Sequence, residues 1–281
     1  MKKIFAVSLI IFCLSVLSVF AQTSTVTRFD LSQPEIDRII KKFTENEAHF
    51  RGALTNYVFN RSVTLQTLGM GGQITGLLRR DSFMSLTQSG ERLEKVTFNP
   101  VSTLPLGFVT AEDLEDLGGV TPFALEPSVV NLYNFVYLGK EKIDDLDLYV
   151  FEVSPKVIPD PKKSKQRLFT GRIWVDDKDL MIAKSKGKGV PETKTNKFPV
   201  VETWRENIDG KYWFPSYASS DDELLFENGT SVKLKLRVKY TNYRLGHTEV
   251  IIGDDAEEVK DDAKPTPTPT PAPTNTPPKK P

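Results

Sequence analysis

Ten residues near the end of the chain alternate strictly between apolar and polar side chains. The apolar members are Val232, Leu234, Leu236, Val238 and Tyr240, and each is followed by a lysine, an arginine or a threonine. Successive side chains of a β-strand point to opposite faces of a sheet, so this strand has one buried face and one solvated face. An antiparallel sheet permits that arrangement, whereas a parallel sheet covered on both faces does not. The segment therefore predicts an antiparallel β-sheet.

Similar strand-like segments recur along the chain, and one helix precedes them. The predicted strands lie at 57–66, 74–86, 91–98, 135–138, 147–153, 172–175, 180–184, 199–205, 212–218 and 232–241. A capping box at residues 32–35 opens an amphipathic helix over about residues 33–48. We expect a mainly β (α+β) domain with a single antiparallel sheet, this helix on one face and one or two short helices between residues 110 and 134.

The N-terminus has the pattern of a secretory leader. Lys2 and Lys3 precede a continuous apolar run, and Val19, Phe20 and Ala21 supply a cleavage site. We expect a signal peptide at 1–21, a globular domain at 22–263 and an extended Pro/Thr-rich tail at 264–281. The apolar run is nearly long enough to span a bilayer, so an uncleaved anchor is the alternative.

Composition argues against several classes of protein. The only cysteine, Cys13, lies in the leader, so the mature chain lacks a disulfide, a thiolate nucleophile and a cysteine metal ligand. Without Lys2 and Lys3 the chain has 35 basic and 37 acidic residues, a net charge of −2. That balance is unlike the basic footprint of a protein that binds nucleic acid, so we expect no nucleic-acid partner.

Catalytic and metal-binding motifs are missing from the sequence. His49 and His247 each stand without a second histidine or cysteine nearby, and the nucleophile-elbow, phosphate-loop and zinc-helix patterns do not occur. Asp176, Asp177 and Asp179 cluster in one expected hairpin turn, but without the spacing of an EF-hand loop. We favour solvated turn carboxylates over a calcium site. We therefore expect neither an enzyme nor a bound metal or cofactor.

Several segments, taken in order, resemble a known family. They are residues 119–125, 137–141 with 148–153, 171–176 with 179–184, and 209–215. Their order and spacing are similar to those of the LolA-like outer-membrane lipoprotein-sorting proteins, over about residues 57–243. The resemblance implies a periplasmic protein whose sheet curls into an unclosed half-barrel, with short lid helices over an apolar cavity that holds acyl chains.

The alternation and the resemblance together give candidate site residues. We expect the cavity wall, or the core beneath it, to contain Tyr57, Phe59, Val63, Leu65, Leu234, Leu236 and Val238. The resemblance implies that a basic residue after the second strand holds the lid, which makes Arg80 the candidate latch. It also implies that Pro122 and Phe123 belong to the lid.

Two functions are consistent with these features. The first is a monomeric periplasmic carrier that holds lipoprotein acyl chains or other lipids and works with inner- and outer-membrane transport components. The alternative is a non-catalytic structural or regulatory envelope protein with the same fold, a packed core and a tail that docks a partner. A sizeable apolar cavity would favour the first function over the second.

Cleavage of the leader is directly testable. We expect the mature protein to begin at Gln22, because Ala21 completes the small-residue cleavage site. N-terminal sequencing and intact-mass measurement of protein taken from the cell envelope would identify this end. Protein that still begins at Met1 would favour the membrane anchor instead.

Overall fold

The computed structural model describes residues 25–87, 90–105, 108–110, 113 and 124–246. Within them lie one α-helix, α1 (Gln33–Leu54), a short 3₁₀ turn at Val130–Leu132 and ten strands. The strands are β1 (Tyr57–Leu68), β2 (Ile74–Leu86), β3 (Arg92–Phe98), β4 (Tyr133–Ile143), β5 (Leu146–Pro155), β6 (Leu168–Asp176), β7 (Ile182–Val190), β8 (Val201–Ile208), β9 (Tyr212–Leu225) and β10 (Ser231–Leu245). Each predicted strand is present.

All ten strands belong to one sheet, in the order β3-β2-β1-β10-β9-β8-β7-β6-β5-β4. The first three strands form a meander, and the chain then crosses to the far end of the sheet. It returns strand by strand from β4 to β10, which pairs with β1. β3 and β4 are the two end strands and do not pair with each other in the described part of the chain. The predicted unclosed antiparallel sheet, as in a half-barrel, is confirmed.

One face of the sheet, which we call the inner face, carries the apolar residues of the alternating pattern. Val63 and Leu65 of β1 lie opposite Val238 and Leu236 of β10, and residues paired in this way share a face. All four side chains are buried, while Lys235 on the opposite face is exposed. The two-residue period of the sequence therefore identifies the face that forms the core.

Helix α1 covers part of the inner face and begins at the predicted capping box. The Ser32 N–H and hydroxyl both donate to the Glu35 carboxylate, at 3.0 and 2.7 Å. Pro34 occupies the first turn, where its missing N–H leaves no helical bond unmade. The helix ends at Leu54 rather than near residue 48, because Phe50 and Leu54 continue its apolar stripe into the core.

Aromatic contacts hold α1 against the sheet. Phe43 is fully buried, and its ring centroid lies 5.7 Å from that of Phe135 and 5.8 Å from that of Phe151. Phe50 lies 5.7 Å from Phe214. Centroid separations of about 4.5–7 Å are those of favourable edge and tilted pairs. The helix is thus joined to β4 and β5 at one end and to β9 at the other.

The turn between β6 and β7 binds the middle of α1. The Asn46 side-chain amide donates to the carbonyls of Asp179 and Leu180, at 3.0 and 2.9 Å. Asp176 accepts the N–H groups of Lys178 and Asp179 and is 2% exposed, and this burial raises its pKa. The predicted hairpin turn is confirmed. The expectation of a solvated carboxylate is wrong for Asp176, because its oxygen closes the turn beneath the helix.

Several predictions concern residues outside the described ranges. They are the leader at 1–21, the tail at 264–281 and residues 111–112 and 114–123 of the lid segment, which include Pro122 and Phe123. Within the described ranges, no helix has both the length and the apolar character needed to cross a bilayer. The domain boundaries and the lid therefore stay predictions.

Packing around Phe43 should account for a large share of the stability. Phe43→Ala empties a site between helix and sheet, and we expect the free energy of unfolding to fall by about 3–5 kcal/mol. Phe29→Ala is the matched control, because Phe29 is 50% exposed and its truncation should cost less than about 1 kcal/mol. Urea unfolding followed by circular dichroism measures both changes. Equal losses at the two positions would contradict the packing described for α1.

Candidate ligand cavity

A cavity of about 250 Å³ lies on the inner face beside α1. Its walls are formed by β1, by β6 to β10, by one residue of α1 and by parts of the segment that links β3 to β4. Most lining side chains are apolar. Those from the strands of the sheet include Leu65, Ile173, Val201, Leu234, Leu236 and Val238. The cavity is therefore a hydrocarbon-lined space within the face that the sequence pattern marks as core.

The structure brings most of the predicted wall residues to this place. Leu65, Leu234, Leu236 and Val238 line the cavity. The other three are buried in the adjoining core cluster without lining it: Tyr57, Phe59 and Val63. Contact of any of them with a ligand stays a prediction.

Small side chains on β7 create the space. Ser185, Gly187 and Gly189 follow one another at a spacing of two, and all three line the cavity. Ser185 lies opposite Ile173 of β6, and Gly187 lies opposite Val201 of β8. Strands usually carry branched or aromatic side chains on a buried face. The Phe169 ring of β6 fills the room over Gly187, and the small side chain of Ser185 leaves space beside Ile173.

Gly187 is required by its neighbours as well as by the cavity. A Cβ atom at this position would overlap the Phe169 ring and the Thr170 carbonyl. Gly171 of β6 lies opposite Gly187 and has a φ of 155°, a conformation that is strained for residues with a side chain. Neither position accepts a larger residue without movement of the backbone or of the Phe169 ring, so both glycines are required by the close packing of β6 against β7.

The strands β7 and β8 separate at the cavity. They pair only as far as Gly187 and Val201, and residues 191–200 leave the sheet between them as a loop. Lys197 and Phe198 of this loop line the cavity, and Phe108 lines it from the link between β3 and β4. One side of the cavity is therefore bordered by loop residues rather than by the hydrogen-bonded sheet.

A buried ion pair joins α1 to β8 at the cavity wall. Arg205 Nη1 and Nη2 donate to Glu47 Oε1 and Oε2 at 2.6 and 3.0 Å, and the two side chains are 7% and 1% exposed. The Arg205 guanidinium also lies 4.6 Å from the centre of the Phe50 ring. A buried charge needs a fully hydrogen-bonded partner, and this two-point geometry supplies one. The pair fixes α1 on the sheet and adds no net charge to the cavity.

A second charged cluster lies on the inner face near β3. Arg80 pairs with Val63 across β1 and β2, so its side chain lies on the inner face. Arg80 donates to both Glu94 carboxylate oxygens at 2.9 Å, and Arg61 and Ser82 each donate to the same carboxylate at 2.6 Å. These bonds, above all those from Arg80, lower the pKa of Glu94 to about 2.

Arg80 therefore has a carboxylate partner within the sheet itself. Its predicted role as a latch stays a prediction, because residues 111–112 and 114–123 of the lid segment lie outside the described residues. The sequence did not point to Glu94, since β3 contains both charged and apolar residues without a clear alternation.

Sequence reasoning also missed the residues that shape the cavity. Glu47 and Arg205 are separated by 158 positions, so no local spacing connects them. A signal did exist on β7, where residues 184–189 read Lys-Ser-Lys-Gly-Lys-Gly. Lysines alternating with very small residues indicate a strand whose inward face lacks bulk. This pattern lacks the apolar members by which strands are normally recognised, so it gives no conventional strand signal.

The described residues offer no metal-binding arrangement. They contain no group of three or more His, Cys, Asp and Glu side chains that could hold an ion. His49 is exposed on α1, and His247 lies outside the described residues. The cavity lining combines hydrocarbon surface with ion-paired residues, among them Glu47 and Arg205.

Comparison with known proteins gives distant similarities. No family model and no curated protein matches the chain. A solved structure of a DUF1329 family protein from Desulfovibrio piger is 13% identical, with a TM-score of 0.35. A domain from Vibrio parahaemolyticus described as outer membrane lipoprotein-sorting is 14% identical, with a TM-score of 0.34. Each of these two matches covers 71% of this chain and 90% of the other.

A third similar structure is MucB in complex with MucA(peri), at 8% identity and a TM-score of 0.20, covering 71% of this chain and 97% of the other. The predicted resemblance to lipoprotein-sorting proteins is thus found again among solved structures. TM-scores below 0.5 leave the function to be argued from the chain's own cavity.

The Glu94 cluster predicts how stability changes in acid. The pKa of Glu94 falls from 4.5 to about 2 on folding, so its stabilisation is complete above about pH 4.5 and is lost as the pH falls towards 2. We expect the stability gap between wild type and Glu94→Gln to shrink by about 1–2 kcal/mol between about pH 6 and about pH 2.5, with allowance for solvent screening. Urea midpoints at both pH values measure the gap.

The control for this measurement is Glu227→Gln. Glu227 is 55% exposed and forms an ion pair with Lys194 outside the cluster. Glu227→Gln therefore measures how the loss of a surface carboxylate alone changes the stability. A gap for Glu94→Gln that stays constant with pH would contradict the charge-stabilised cluster.

Proposed function

We propose that this protein is a non-catalytic binder and carrier of acyl chains or similar apolar ligands, which it holds in the inner-face cavity. The observation that carries the proposal is the hydrocarbon-lined space of about 250 Å³ beside α1. The predicted leader supports a periplasmic location. Lipoprotein acyl chains are the ligands that the family resemblance suggests, with membrane transport components as partners.

The lining chemistry supports binding of a hydrocarbon chain. Each CH₂ group removed from water contributes about 0.8 kcal/mol, so a short stretch of chain provides micromolar-range affinity without any catalytic group. Ligand pockets usually measure about 300–1,000 Å³, and the volume here lies a little below that range. The cavity is therefore suited to one chain, or to part of a longer one, rather than to several chains at once.

The choice of residues supports a binding site over a packed structural core. Protein interiors are close-packed, with few voids larger than a water molecule. A valine or isoleucine at Ser185 would fill much of this space, and Gly189 also contributes no side chain. The chain instead keeps both positions small beside Leu236 and Val238. A purely structural domain would gain stability by filling such a space.

Filling the cavity from Ser185 tests this function. Ser185→Leu should occupy the room of about two methylenes, which at about 0.8 kcal/mol each weakens chain binding somewhat more than tenfold. Dodecanol is a suitable uncharged ligand, and its binding is measured by displacement of the fluorescent apolar probe N-phenylnaphthylamine. Thermal unfolding of the variant checks that the fold is retained.

Ser185→Ala is the matched control, because it removes the hydroxyl and leaves the volume unfilled. We expect its affinity for dodecanol to equal that of wild type. Failure of the wild-type protein to bind dodecanol or the probe would overturn the proposal and favour the structural or regulatory alternative. Equal affinities of Ser185→Leu and Ser185→Ala would place the ligand elsewhere.

A further inference from the structure

All but one of the charged residues that line the cavity form an ion pair with a residue of opposite charge. Three ion pairs account for the others: Arg205 with Glu47, Lys188 with Glu192 and Arg167 with Asp113. Lys197 also lines the cavity and is partly buried. In the part of the chain that the structure describes, Lys197 makes no ion pair or side-chain hydrogen bond. Among the described lining residues, Lys197 is therefore the one cation without a counter-charge.

The backbone on both sides of Lys197 is held in place. The Phe198 N–H donates to the Glu192 carboxylate at 3.1 Å. On the other side, the Thr193 N–H donates to the Asn196 carbonyl at 2.8 Å, and the Asn196 N–H donates to the Thr193 hydroxyl at 2.9 Å. A fixed backbone lowers the entropy cost of using this lysine in binding, because only its side chain needs to be ordered.

The unmatched cation adjoins apolar surface. Phe198 and Pro199 follow Lys197 directly, and both line the cavity. The Phe198 ring is itself held by the Arg167 guanidinium, 4.6 Å from its centre. A positive charge next to a hydrocarbon-lined space is complementary to a molecule that has an apolar chain and one negative group.

We propose that the cavity takes a single-chain amphiphile with one anionic headgroup, whose chain lies against the inner face and whose headgroup pairs with Lys197. This inference rests on the proposed function and names the class of ligand for the same site. A carboxylate or phosphate would form a charge-assisted hydrogen bond with the ammonium. A cationic headgroup would meet an unmatched like charge, so the site selects by repulsion as well as by attraction.

A free fatty acid and a phosphate-bearing single-chain lipid share this chemistry, and the headgroup separates them. Dodecyl phosphate, dodecanol and dodecyltrimethylammonium carry the same twelve-carbon chain, and in dodecanoate the twelfth carbon is that of the carboxylate. Differences in affinity among them therefore report mainly the headgroup. Binding is measured below the micelle concentration by displacement of N-phenylnaphthylamine. We expect either anion to bind about tenfold tighter than dodecanol, and dodecyltrimethylammonium to bind weaker than dodecanol.

Lys197→Met removes the charge and retains a chain of similar length. We expect it to abolish the advantage of the anions, an about tenfold loss, while the affinity for dodecanol stays unchanged. Lys194→Met is the matched control on the same loop, because Lys194 is 82% exposed and pairs with Glu227 away from the lining. That variant should bind all four ligands as wild type does. In the wild-type protein, raising the salt concentration should weaken the binding of the two anions more than the binding of dodecanol.

The outcomes separate this inference from the function on which it rests. If dodecanol fails to bind, the proposed function is wrong, and the proposed headgroup site at Lys197 is wrong as well. If dodecanol binds but the anions gain nothing, or if Lys197→Met and Lys194→Met reduce anion affinity equally, the cavity binds chains and the Lys197 headgroup site is wrong. If Lys197→Met loses more affinity for dodecyl phosphate than for dodecanoate, phosphate is the preferred headgroup. A larger loss of affinity for dodecanoate identifies carboxylate instead.

Discussion

The packing of α1 across the inner face is the constraint on which the rest of this structure depends. A sheet with one apolar face needs a cover, and α1 is the one α-helix among the described residues. Its aromatic residues contact β4 and β5 at one end of the sheet and β9 near the middle, and the Glu47–Arg205 pair fixes it at β8. A helix about 10 Å wide cannot cover ten strands spaced about 4.8 Å apart. Part of the inner face therefore lies beyond α1, and the cavity is found there, lined in addition by residues of the link between β3 and β4.

Charge and hydrocarbon are separated on this inner face. Near β3, Arg61 and Arg80 converge on Glu94, and these charges satisfy one another within the sheet. Near β7 and β8, the face is mostly apolar, and the charge of Arg205 is neutralised by the Glu47 carboxylate of α1. Arg61 and Arg80 share the Glu94 carboxylate. Arg205 has that of Glu47, so each of these charges has an ion-pair partner on the inner face. One polar cluster joins β3 to its neighbours, and the other joins α1 to β8 at the cavity wall.

The sequence predicts the elements of this fold better than it predicts the site. Strict alternation at Leu234, Leu236 and Val238 identified both the strand and its buried face, and the capping box at Ser32 identified where α1 begins. The limits of prediction follow from what makes the space. Gly187 contributes by having no side chain, and an absent side chain leaves no hydrophobic signal in a sequence. Pairs such as Glu47 with Arg205 are brought together only by the completed fold.

The early separation of β7 from β8 has a consequence for how such a protein diversifies. Since the ladder between them ends at Gly187 and Val201, residues 191–200 are free of strand register and can change in length or charge without shifting any strand. The apolar chamber, by contrast, is built from paired residues that change only at a cost to the sheet. On the proposed function, headgroup preference resides in the loop and chain accommodation in the paired strands, so the two properties can mutate separately. A change of ligand would then require changes in a single loop.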